Sequence, residues 1–257
     1  MKRIPLHSID DVISFLDFII SDCIEKEDPG GYFAALYQRV TIRVKEGIET
    51  NYFDDGERME KLDVVFAQRY IDAWLAWQNG EQVTFSWEKA FRLARENRAV
   101  VLQHLLAGMN AHINLDLGIA AALILNGKPA GDLEDDFFRI NQILSSMVEE
   151  VQHNLSAIWP PLRKILEKLG TWDNFLVDFS MELARDGAWE FAGQLNRFSP
   201  GEWDASIRSR DRKVAPKLDL IMHPGFFAAM VFGIIRWGER GSVADKIKRL
   251  MIKREKS

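Results

Sequence analysis

Cysteine is almost missing from this chain: Cys23 stands alone among 257 residues. No intramolecular disulfide can form and no cysteine-based metal knuckle exists, which suits a reducing compartment. Alternating β-branched stretches are equally scarce, so little reads as strand. The formal net charge of −5 excludes nucleic-acid binding driven by overall charge. Long apolar runs are short supply as well. Phe226–Ile235, the best of them, is about half of what a membrane span requires. Behind Lys2 and Arg3, Asp10, Asp11 and Asp17 interrupt any signal-like run. Together these absences read as a cytoplasmic protein. Gly-x-Gly-x-x-Gly, the Walker loop, Gly-x-Ser-x-Gly and His-Glu-x-x-His are absent too, which removes the standard nucleotide-binding, serine-hydrolase and zincin designs.

What the chain does have is apolar residues recurring at three and four along nearly its whole length. Ser8 with Asp11 opens a first helix in capping-box style, and Asp28-Pro29-Gly30-Gly31 closes it. Helices are expected over about 32–50, 57–78, 86–97, 101–126, 133–158, 171–196, 202–214, 226–237 and 243–253, with a break at Pro160-Pro161. No repeat and no long polar linker divides them. The expectation is all-α: one domain over 1–257, packed around the helix at 101–126 and ending in a helical pair at 226–257.

Val101–Asn126 is apolar almost all round, yet it carries Gln103, His104, Asn110, His112, Asn114 and Asp116. A helix apolar on every side belongs inside, and polar groups inside need partners. His112 and Asp116 sit one turn apart on one face, close enough to share a ligand or a hydrogen bond. His104 is about 12 Å away along the axis. Asn110 and Asn114 fall on a different stripe. Two readings follow. One is a small-molecule site or enzyme centre with His112, Asp116 and His104 as catalytic groups. In it His112 and Asp116 could take a divalent transition metal, since that donor pair suits Zn, Fe or Mn. The other is a network of interhelical hydrogen bonds.

Arg69 falls in an apolar row with Leu62, Phe66, Ala73 and Trp77, so its guanidinium needs a carboxylate. Asp72 is adjacent and Asp116 is the candidate across the core. With Tyr70 and the two asparagines, Arg69 and Asp72 make up the expected binding residues. Glu150-x-x-His153 has the spacing of di-iron bundles, but Glu149 and His153 project away from their helix's apolar stripe and Glu150 lies at its edge. That pattern reads as a solvated face. His7 and His223 read as surface residues. The last helix, over 243–257, is basic with Val243, Ile247, Leu250 and Met251 on one side. It suits either a peripheral contact with an anionic membrane or docking on the bundle; docking is preferred because the apolar face is short.

The blocks LDVVFAQRYIDAW (62–74), LQHLLAGMNAHINLDLGIAAA (102–122) and DDFFRINQILSSMVEEVQ (135–152) resemble a bacterial family of helical proteins catalogued as a domain of unknown function. The resemblance runs from about Gly31 to Phe198. It implies an α-helical fold and supplies no activity.

Overall fold

The computed structural model describes residues 4–96, 99–159, 181–223 and 226–251. Among the described residues every regular element is helical. Pro160-Pro161, the segment from there through Thr171, Pro224-Gly225 and the basic residues beyond Met251 lie outside them.

Helix α1 (Ile9–Glu25) starts where expected. Ser8 Oγ accepts from the Asp11 amide at 3.1 Å while the Asp11 carboxylate accepts from the Ser8 amide at 3.1 Å. Helix α2 (Gly31–Glu49) is buried along most of its first half. Helix α3 (Gly56–Gln78) is capped by Asp55, which accepts from the Arg58 amide at 2.9 Å. Helix α4 (Phe85–Ala94) begins after Thr84, one residue before the start expected at 86. Its first amides donate instead to a distant carboxylate: Asp211 accepts from Phe85 at 2.7 Å and Ser86 at 2.9 Å.

The central helix is not continuous α. It runs as α5 (Val101–Ala111), a π turn (His112–Asp116) and α6 (Leu117–Leu125). By length and composition the run 101–125 could cross a membrane, although polar residues interrupt any long unbroken apolar run within it. Here 83% of its most apolar window is buried inside the protein. Glycine permits two close approaches. A Cβ on Gly108 would lie 2.3 Å from Phe33 Cγ, and one on Gly118 would lie 2.7 Å from the Ala188 carbonyl. Asn126 (φ +47°) and Gly127 (φ +78°) then turn the chain in the left-handed region.

Helix α7 (Gly131–Ile158) crosses α2, and its Asp136 pins the loop before α3 by accepting from the Asp54 and Asp55 amides at 2.8 and 3.0 Å. Helices α8 (Met181–Leu195), α9 (Asp204–Val214) and α10 (Lys217–Met222) follow. The last of these lies between the helices expected over 202–214 and 226–237, where no helix was expected. Helix α8 packs on α6, α9 against α4, and α10 against α5. Helices α11 (Phe226–Gly238) and α12 (Val243–Met251) complete the described chain.

Helix α12 is a packing element. Ile247 and Leu250 are buried against α1, α2 and α7. Arg39 Nη1 on α2 donates to the Leu250 carbonyl at 2.8 Å, and Asn154 Nδ2 on α7 donates to it at 3.3 Å. Glu150 is buried here too, ion-paired to Arg39 and 3.5 Å from Arg43 Nη2. This corrects the solvated face expected of it: the position at the edge of the stripe is buried because α2 brings two guanidiniums to it. His153 is exposed, as are His7 and His223. Because Ile247 fills a closed space, Ile247→Ala should lower unfolding free energy by about 2–5 kcal/mol. Chemical denaturation checks this; an unchanged midpoint would mean that α12 does not contribute to the core.

Candidate functional site

Asp116 is fully buried at the end of the π turn and carries an ordered set of donors. Arg69 Nε on α3 donates to Oδ1 at 3.1 Å, and Trp87 Nε1 on α4 donates to Oδ2 at 2.8 Å. His112 Nδ1, at the start of the same turn, lies 3.3 Å from Oδ2. The Arg69 side chain keeps 31% of its exposure, which corrects the full burial expected from its apolar row. A long guanidinium can reach a buried carboxylate from half-exposed ground. Burial opposes the Asp116 charge, yet Arg69, His112 and Trp87 outweigh it and hold the carboxyl below its usual range. Burial pushes the His112 imidazole below its ordinary value, although Asp116 pulls the other way.

These directions fix the state at neutral pH. Asp116 is an anion and His112 a neutral ring. Nδ1 must carry the hydrogen, since a lone pair there would face the carboxylate. Nε2 is then a bare acceptor, and it is buried without a hydrogen-bond partner. The ring is held rigidly: it stacks on Phe66 at 3.6 Å between centroids, 7° from parallel, and meets the edge of Tyr37 at 4.6 Å. Single π turns inside α-helices are frequent at functional sites.

His112 lines a cavity of about 310 Å³ between α2, α3, α5 and α7. The walls are almost wholly apolar, from side chains such as Phe33, Leu106, Met109, Phe137, Leu144 and Met147. Tyr37, Asp63 and Arg185 are the other polar residues of the lining. The buried Tyr37 hydroxyl approaches Thr41 without closing a bond of good geometry, and burial together with nearby Asp63 raises it well above its ordinary value. Asp63 Oδ2 has no donor, and burial, with Glu60 adding to it, pushes the carboxyl up to about 7. None of Trp87, Asp63, Tyr37 or Arg185 was singled out from the sequence. Asp63, next to core Leu62 in the α3 stripe, was the one signal available.

The remaining sequence candidates lie elsewhere. His104 is buried edge-on to Tyr32, 5.5 Å between centroids, and burial with Lys246 nearby lowers it to about 4. It does not line the cavity. Tyr70 is a buried core ring, packed on Phe33 and Trp87 at 5.1 Å from each. Asp72 accepts from Gln68 on its own helix. Asn110 and Asn114 face the other side. Asn110 Nδ2 donates to the Val214 carbonyl at 3.1 Å, and Asn114 accepts from Lys217 Nζ at 3.0 Å through Oδ1 and from Arg210 Nε at 2.9 Å through its carbonyl. That stripe ties the π turn to α9 and α10. For a metal, the His112–Asp116 pair fits poorly: Asp116 and Nδ1 are spent on each other and on Arg69 and Trp87. Among the described residues no group of three or more His, Cys, Asp or Glu could hold an ion.

Residues 9–224 match a family described as a family of unknown function, DUF5995, and the chain belongs to it. No curated protein and no solved structure matches the chain.

Two expectations follow from this geometry. Trp87→Phe keeps the ring but removes one donor from a buried carboxylate, so it should cost about 1–3 kcal/mol. The loss should shrink in an Asp116→Asn background; equal losses in both backgrounds would show that the bond contributes nothing. Asp63 holds its proton more tightly folded than unfolded, so its contribution to stability falls as pH rises from about 4 through 7. Asp63→Asn does not titrate. It should match the wild type near pH 4 and gain up to about 4 kcal/mol above pH 7. A stability difference that does not vary with pH would refute the raised carboxyl.

Proposed function

We propose that this member of the family binds a small, mainly apolar molecule in the cavity beside His112 and presents an Asp116-oriented imidazole to it. The observation that carries the reading is the bare Nε2 of His112, buried and partnerless in a ring that lines the cavity. An acceptor in that state costs free energy unless something donates to it. A ligand hydroxyl, or a water brought in with the ligand, can donate there. In this reading the same nitrogen takes a proton, with Asp116 stabilising the imidazolium that forms. Asp63, poised near neutrality, is a second group able to give or accept a proton in the same space. The volume agrees: small-molecule sites begin at roughly 300 Å³ and combine apolar walls with a few polar points. A metal-dependent version of this activity would need ligands besides His112 and Asp116.

A non-catalytic reading has one observation of its own. The three donors to Asp116 tie α3 and α4 to the π turn, as a structural network would. Binding of 1-naphthol and naphthalene, followed by tryptophan fluorescence, separates the two readings. The cavity reading expects saturable binding of both, with 1-naphthol favoured by up to about tenfold through its hydroxyl. His112→Phe should erase that preference while naphthalene still binds. If neither compound binds to the folded wild type, only the structural network stands.

A further inference from the structure

Arg185 is the least accounted-for group in the molecule. It stands on α8 with 4% of its surface exposed, yet it lines the cavity. Its guanidinium lies 4.8 Å over the Phe137 ring and donates through Nη2 to the Phe137 carbonyl. Nε is buried with no acceptor. Among the described residues no carboxylate lies within ion-pair distance of it. Asp186, its chain neighbour, favours its charge, but burial outweighs this and lowers it to about 10, so the group remains cationic at neutral pH. A guanidinium offers five donors in a planar fork, and a buried cation without a counter-charge is strongly unfavourable. Elsewhere in this core the rule is kept: Arg39 has Glu150, and Asp136 has Arg58 and Arg139.

We propose that the cavity ligand carries a carboxylate that pairs with Arg185, its apolar body lying along the walls formed by Phe137, Ile140, Leu144 and Met147. This rests on the reading of the cavity as a ligand site and names the ligand's class: an apolar monocarboxylic acid. A guanidinium keeps N–H groups beyond the one given to the Phe137 carbonyl, and such groups make charge-assisted bonds to a carboxylate. Charge complementarity is local. Asp63, the acidic residue of the lining, is itself near neutrality, and His112 is uncharged. Size favours a small body. A cavity of 310 Å³ stands at the lower end of the range of small-molecule sites, which suits a medium-length chain or a bicyclic ring.

The test compares decanoate with decan-1-ol by calorimetric titration of the full chain. In the wild type, decanoate should bind at least about tenfold more tightly than decan-1-ol, the amount expected of a charge-assisted pair. Arg185→Met should remove that advantage and leave decan-1-ol binding within about threefold. Should that variant fail to fold, decanoate labelled with carbon-13 at the carboxyl gives the answer in the wild type. Paired with Arg185, the bound carboxyl should titrate below the free acid; a midpoint above it would place the head in apolar surroundings and overturn the assignment. Equal affinity for acid and alcohol, or decanoate binding unchanged in Arg185→Met, also overturns it while the cavity reading survives. Binding of neither compound overturns both.

Discussion

The structure depends on one buried anion. Asp116 lies wholly inside, where an unpaired carboxylate would be intolerable, and three separate elements bring donors to it. Arg69 fixes the rotation of α3, Trp87 fixes α4, and His112 needs the π turn's geometry to stay within reach. The same anion decides the chemistry of its neighbour. By holding a hydrogen on Nδ1 it strips Nε2 of one, and stacking on Phe66 prevents the ring from turning away. A contact that stabilises the fold therefore also leaves a polar atom unsatisfied in a ring that lines the cavity.

Glycine and the π turn explain how so much can meet along one helix. Gly108 lets α2 approach until Phe33 lies against the backbone, and Gly118 does the same for α8. Between them the π turn sends the Asn114 face toward Arg210 and Lys217 while His112 and Asp116 face α3 and α4. One helix thus serves two neighbourhoods. The asparagine side is satisfied bond for bond, whereas the histidine side is not.

The all-α architecture was legible because helix periodicity and caps are local. Ser8 with Asp11 and Asn126 with Gly127 act within a few residues of themselves. The buried polar helix was legible for a related reason: its composition alone forbids solvent on any side. Arg69 reaching Asp116 could be anticipated from charge inside an apolar row, although its remaining exposure could not. Less could be read where partners are distant in sequence. Glu150 looks solvated until Arg39 and Arg43 arrive from elsewhere in the chain. The π turn leaves no pattern in residue types. Trp87, Asp63, Tyr37 and Arg185 come from four helices, and only the fold places the last three around one cavity.

Which side chains remain unsatisfied bears on the choice between a structural network and a site. In a network that merely holds a core together, its own members should be satisfied, because a half-satisfied one is worse than apolar packing. Asp116, Asn110 and Asn114 meet that standard. His112 Nε2, Asp63 Oδ2, the Tyr37 hydroxyl and Arg185 Nε do not, and all four residues line the same 310 Å³ space. Leucine or phenylalanine at those positions would close the cavity and remove the cost. The chain instead keeps an acceptor, an acid near neutrality and a cation around an apolar hollow. That combination is unfavourable as architecture, and it becomes favourable once a molecule with an apolar body and a few polar atoms fills the hollow.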